Sequence, residues 1–205
     1  MKLYNGMSPN GARVMIFMAE KGIELPTVSI DLMANEGQAP DFLKINALGQ
    51  VPVLQLDDGR YLTESVAICR YLESLYPDPN LFGKTPEEQA FIEMWMRRME
   101  LWLFNVAGDV GLHEIEFFKY RVDQNADYAA YSRRILVERL AWLDAELADG
   151  RSFIAGETFT MADIIGMGLV MVMGFTQIET PSELTNVVRW QQAMASRPTF
   201  PQMPG

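Results

Sequence analysis

A proline stands inside the most strand-like stretch of this chain and restricts what the chain can fold into. In Asn46-Ala-Leu-Gly-Gln-Val-Pro-Val-Leu54, residues Val51, Val53 and Leu54 read as a buried strand. Pro52 has no amide proton to give a neighbouring strand. Sheets accept proline only at an edge, at a first residue or at a bulge. Gly49-Gln50 therefore reads as a turn leading into a strand over 51–56 that begins with Val51 and Pro52. An X–Pro bond at such a junction takes either isomer, because the cis form costs only about 0.5–1 kcal/mol. A cis Val51–Pro52 bond turns the Val51 amide and carbonyl out of the sheet, toward the backbone of an extended peptide ligand. In trans, Pro52 simply opens the strand, and the residues alone leave both readings open.

The next residues add a second recognition element. Asp58-Gly59 is a hairpin signal between strands at 51–56 and 60–63. Tyr61-Leu-Thr-Glu-Ser65 then runs into Val66-Ala-Ile-Cys-Arg-Tyr-Leu72, a helical pattern over 65–76 with Ser65 as its natural N-cap. A helix start offers free backbone amides and the positive end of the helix dipole, so an anion is welcome there. A peptide clamp followed by an anion site suits a ligand with an amide backbone and carboxylates. In this order and spacing, N-x-x-G-Q-V-P-V-L, the D-G hairpin and T-E-S-x-A-I resemble the N-terminal domain of the cytosolic glutathione transferases, bacterial Ser/Asn-type, theta- or nu-like. The resemblance implies that Val51 pairs with the cysteinyl backbone of glutathione and that Glu64 and Ser65 hold its γ-glutamyl end.

Composition narrows the partners. The chain has 205 residues, 49% of them apolar, enough for one large domain or two small ones with a proper core. A net charge of −10 argues against nucleic acid and gives no support for anionic membranes. No apolar run reaches the roughly 18 residues that span a bilayer. Met1-Lys2-Leu3-Tyr4 enters strand-like sequence directly, without a signal-peptide pattern. The single cysteine, Cys69, excludes an internal disulfide and fits a reducing compartment. A cytoplasmic location is the expectation.

Taken in order, Lys2-Leu3-Tyr4 reads as a strand, and Ser8-Pro9 as the cap and first residue of a helix ended by Lys21-Gly22. Pro26–Asp31 reads as a second strand, and residues 41–44 as one helical turn. The resulting β-α-β, β-β-α order is thioredoxin-like. Pro77-Asp-Pro-Asn-Leu-Phe-Gly83 is a linker, and beyond it the strand signal disappears. Thr85-Pro86-Glu87-Glu88 starts a helix with Phe91, Met94, Trp95, Met99, Trp102 and Val106 on its apolar stripe. A second long helix covers Asn125 to Ala148, and Phe159-Thr160-Met-Ala-Asp163-Ile164 carries a capping signature ahead of a helix apolar nearly all round. Pro181-Ser-Glu opens the last helix. This half is similar to the all-helical domain of the same family. The expected organisation is a thioredoxin-like glutathione-binding domain at 1–76, a linker at 77–84 and an all-α helical bundle at 85–205.

The chemistry the resemblance implies is thiolate transfer. A free thiol near pKa 8.5 is only a few per cent ionised at neutral pH, and lowering it by about 2 units takes about 2.7 kcal/mol of preference for the anion. Ser8, at the start of the first helix, is the first candidate donor to that thiolate, and Asn10 its rival. Capping alone is the plainer role for Ser8. Gln38, Gln50, Val51, Pro52, Glu64 and Ser65 complete the expected glutathione site, Gln38 on the loosest match. Arg13 reads as a solvated helix face more than as a source of positive potential. Cys69 reads as core, and the beta-class catalytic cysteine position is taken by Ser8. His113, the sole histidine, cannot build a two-histidine metal site, and a surface or structural role fits it best. The methionines at 94, 96, 99, 167, 171 and 173 suit a soft pocket, but their spacing predicts mostly core.

The implied co-substrates are glutathione and a small hydrophobic electrophile, without a metal, in a homodimer that serves detoxification. Two alternatives stay open: glutathione-dependent disulfide-bond reduction, resting on Asn10, and a non-catalytic interaction module like the stringent starvation proteins.

Overall fold

The computed structural model describes residues 1–200, so the last five residues of the expected second domain lie outside the described residues. The chain divides into two compact units, Met1–Leu81 and Phe82–Phe200.

The first unit runs β1 (Lys2–Asn5), α1 (Pro9–Lys21), β2 (Thr27–Ser29), a 3-10 turn at Glu36–Gln38, α2 (Pro40–Leu43), β3 (Val53–Gln55), β4 (Tyr61–Leu62) and α3 (Ser65–Leu75). The sheet order is β2-β1-β3-β4. β1 lies parallel to β2, with Leu3 opposite Thr27, and antiparallel to β3, with Leu3 opposite Leu54. This is the thioredoxin-like arrangement that the element order implies. α1 begins as its residues dictate: the Ser8 hydroxyl accepts the Gly11 amide, Pro9 follows, and Gly22 ends the helix at φ +64°. Leu3, Val14, Phe17, Val53, Leu54, Ile68, Cys69 and Leu72 are fully buried.

β3 starts at Val53, two residues later than the sequence suggests, because Pro52 offers no ladder proton; the Val51–Pro52 bond is cis. Beneath the sheet, Lys21 pairs with Glu73 at 2.8 Å. The same carboxylate accepts the Leu81 amide at 3.1 Å and so ties the end of the unit to α3.

In the second unit the described residues form helices only, apart from a single bridge between Phe153 and Gly156. α4 (Pro86–Arg97) opens with a reciprocal capping box: Thr85 accepts the Glu88 amide, and the Glu88 carboxylate accepts the amides of Lys84 and Thr85. A π-helical segment, Arg98–Phe104, follows and leads into α5 (Asn105–Glu114). Its bonds reach one residue further than α-helical ones, as from the Asn105 amide to the Glu100 carbonyl. That shift corrects the expected apolar stripe: Leu103 and Ala107 are fully buried, while Trp102 is 51% exposed.

α6 (Ala126–Glu146) is capped by Asn125, and α7 (Met161–Phe175) is buried along most of its length. At its start the fully buried Asp163 carboxylate accepts the Thr160 amide and hydroxyl, the Ile154 amide and the Trp190 indole N–H. α8 (Thr185–Ala195) begins later than Pro181-Ser-Glu suggests. No side chain of its own caps it. Asp144 on α6 accepts the Asn186 and Val187 amides instead.

Candidate functional site

The expected site residues all fall in the first unit and gather through three contacts. The first joins the β1–α1 loop to the residue before the cis proline. A Cβ placed on Gly6 would lie 2.4 Å from the Ile30 carbonyl and 3.5 Å from a Val51 methyl, so only glycine lets the loop approach. One step on, the Ser8 hydroxyl accepts the Gly11 amide at 3.0 Å. A hydroxyl that spends a lone pair in this way keeps its proton for another acceptor. Gly11 is equally obligatory, since a Cβ there would sit 2.3 Å from Asn5 Oδ1 and 2.9 Å from Ser8 Oγ. Asn10, the rival donor, is exposed on the first turn of α1.

The second contact fixes the turn ahead of Val51. Asn46 is 8% exposed; its amide donates to the Gln50 carbonyl at 2.8 Å while its oxygen accepts the Leu48 amide. Gly49, at φ +65°, packs against the Gln38 loop so closely that a Cβ would lie 2.2 Å from Gln38 Nε2. Gln38 and Gln50 are thereby neighbours on an exposed rim. Val51 itself is buried in a small cluster with Tyr4, Ile30, Phe42 and Val53.

The third contact overturns two sequence expectations. Ser65 is not the N-cap of α3. It is the first helical residue, and the capping position belongs to Glu64, at φ +66° and without a side-chain cap bond. Positive φ is costly for a residue with a Cβ and is held only where its surroundings over-determine it. The Ser65 hydroxyl is engaged elsewhere: Arg13 Nη1 donates to it at 2.9 Å. Arg13 is not a solvated helix face, for it is only 1% exposed. The sequence did hold the signal. Arg13, Phe17 and Lys21 recur at four-residue spacing, so Arg13 shares the face of the fully buried Phe17.

Cys69 and His113 lie apart from these three contacts. Burial pushes the Cys69 thiol well above its ordinary range, despite the nearby Arg13 charge, which removes it as a nucleophile. His113, in the second unit, accepts the Asn125 amide on Nδ1 at 3.2 Å and meets the Tyr128 ring edge-on. These contacts hold the imidazole of α5 against the start of α6.

The first unit is thus a thioredoxin-like domain carrying a glycine-lined loop, a cis-proline turn and an uncapped helix start, and an all-helical unit follows it. Sequence comparison fits both units. The glutathione S-transferase N-terminal domain family matches residues 1–74, and the C-terminal domain family matches residues 94–198. Glutathione S-transferase 2 of Saccharomyces cerevisiae is 32% identical over 204 residues, covering 95% of this chain and 85% of that protein. Among solved structures, a glutathione S-transferase domain-containing protein from Marinobacter aquaeolei matches with a TM-score of 0.90 at 32% identity, covering 98% of this chain and all of the other. The crystal structure of Gtt2 from Saccharomyces cerevisiae matches at 0.89 and 32% identity, covering 98% of each chain. The chain belongs to the glutathione S-transferase family and is an enzyme of it.

Proposed function

We propose that this chain binds glutathione in its first unit and transfers it, as the thiolate, to a small hydrophobic electrophile. The observation that carries this reading is the Ser8 hydroxyl, which spends a lone pair on the Gly11 amide and keeps its proton to donate. Ser8 is the donor to the thiolate, at the positive end of α1, and Asn10, two residues on in the same first turn, is the alternative donor. Val51 and Pro52 frame the edge that pairs with the ligand backbone. Gln38 and Gln50 line the exposed rim beside it, while Glu64 and Ser65 receive its γ-glutamyl end. In this reading residues 1–76 bind glutathione, 77–84 link and the helical domain begins at 85. A homodimer, a cytoplasmic location and a detoxifying role belong to the same proposal, as does a chemistry that uses no metal.

Calorimetric titration with glutathione and with its disulfide tests the reading, followed by conjugation assays on Ser8→Ala and Asn10→Ala. Binding of the reduced form, with Ser8→Ala losing more turnover than Asn10→Ala, is expected. Preference for the disulfide with the larger loss in Asn10→Ala would replace transfer by disulfide reduction. No heat and no thermal shift with either ligand would leave an interaction module.

A further inference from the structure

We propose that Asn5 is the positioning residue of the Ser8 hydroxyl, acting through Gly11. This deepens the glutathione-transfer reading and rests on it. Asn5 is the last residue of β1, and the sheet fixes its place: its backbone carbonyl accepts the Ile30 amide at 2.7 Å. Gly6, next in line, fits beneath Ile30 only because it has no Cβ. From this anchored strand end the Asn5 side chain reaches the first turn of α1. There its amide nitrogen donates to the Gly11 carbonyl over a long 3.4 Å.

The other half of that amide is the telling part. Asn5 Oδ1 is buried and accepts no hydrogen bond from any described residue. Buried acceptors in folded proteins are nearly all paired, and one left bare calls for a reason. The reason lies at Gly11. A Cβ on Gly11 would stand 2.3 Å from Asn5 Oδ1, so a Cα hydrogen of Gly11 faces that oxygen, a contact weaker than an N–H bond. Asn5 thus grips Gly11 twice, at its carbonyl and at its Cα. Gly11 in turn sends its amide to Ser8 Oγ at 3.0 Å. The strand end holds the glycine, the glycine takes one lone pair of Ser8, and the direction left to the Ser8 proton follows. An apolar side chain of the same shape would fill the space without baring an oxygen. Asn5 therefore gives up stability to hold a position, as residues that serve a site do and core residues do not. A group seated on a strand also aims more precisely than one seated on a loop.

The test follows the ionisation of glutathione bound to the protein, through the ultraviolet absorbance of its thiolate, beside thermal unfolding. Asn5→Leu keeps the shape and loses both contacts. It should raise the midpoint of the thiol titration by about half a pH unit, since a displaced hydroxyl gives up part of one hydrogen bond. Its unfolding temperature should be no lower than that of the wild type, because the bare oxygen is gone. Ser8→Ala should raise the midpoint by itself. Adding Asn5→Leu to it should move the midpoint by less than about 0.2 unit, because the two residues act as one relay. A shift of the same size with and without Ser8 would reduce Asn5 to a structural residue and overturn the proposal. So would an unchanged midpoint in Asn5→Leu. If Asn5→Leu is destabilised or does not fold, Asn5→Ala repeats the titration with and without Ser8, and equal shifts there overturn the proposal. Failure of the wild-type protein to bind glutathione, or of Ser8→Ala to raise the midpoint, would instead sink the underlying reading, and this proposal with it.

Discussion

The starts of α3 and α7 face the same physical problem and answer it in opposite ways. Each leaves first-turn amides without intrahelical partners. At α7 the chain closes the end itself: the fully buried Asp163 carboxylate gathers the Thr160 amide and hydroxyl, the Ile154 amide and the Trp190 indole. Burial pushes that carboxyl above its ordinary range, and the donors around it pull it back. At α3 the chain declines to close the end. Glu64 sits at φ +66° with no cap bond, and the Ser65 hydroxyl is held from behind by Arg13. A helix start sealed by its own carboxylate builds the fold. One left unsealed, at a cost in backbone strain, is available to a ligand.

The contrast can be broken at either end. Asp163→Ala strands several buried donors at once, and each such group costs roughly 1–3 kcal/mol. Urea unfolding should show a loss on the order of 3 kcal/mol, with glutathione affinity of the folded protein unchanged. A loss below about 1 kcal/mol would mean that Asp163 does not seal α7.

Thr85→Ala removes one half of the α4 capping box and should cost about 1 kcal/mol in the same assay. A neutral result would show that the Glu88 carboxylate holds that start alone. Glu64→Gly should act in the other direction. Relief of positive φ outweighs the extra freedom glycine has when unfolded, for a net gain of roughly 0.5–1 kcal/mol. Glutathione affinity should fall in the same variant. Destabilisation would show that the Glu64 backbone is not strained.

The smallest effect is a pH dependence. The Arg133 guanidinium beside Glu114 holds that carboxyl below its ordinary value of 4.5. A depressed folded value means the pair contributes fully above the unfolded value and is lost as pH falls through the folded one. Because both side chains are still about a third exposed, solvent screens the pair and only a few tenths of a kcal/mol are expected, roughly the worth of a surface ion pair. Glu114→Gln should flatten the acid limb of stability against pH by that amount, measured between about pH 5 and about pH 3. An unchanged limb would show that the pair is idle.

How much of this the sequence carried depended on how local the cause was. α1 could be read from end to end, because Ser8, Pro9 and Gly22 act on their immediate neighbours. The starts of α4 and α6 were legible for the same reason. The start of α8 was not, since its cap comes from Asp144, 42 residues earlier in the chain. Arg13 was misread because charge suggested solvent while spacing pointed inward, and spacing was the better guide. The positive φ of Glu64 leaves no mark in composition at all. Of the candidate site, the Val51-Pro52 turn and the Glu64-Ser65 corner were visible as motifs, whereas the bond that orients Ser65 required α1 and α3 to be seen side by side.

The π-helical segment at Arg98–Phe104 bears on how this chain is aligned with its relatives. A wider turn holds one more residue than an α-turn over the same stretch of axis. A homologue with a plain α-turn there can keep the faces of α4 and α5 in phase while being one residue shorter. In an alignment, a single-residue gap within 98–104 then records a change of helix type in the middle of a rod. It should not be slid out to the nearest loop, where gaps are conventionally put.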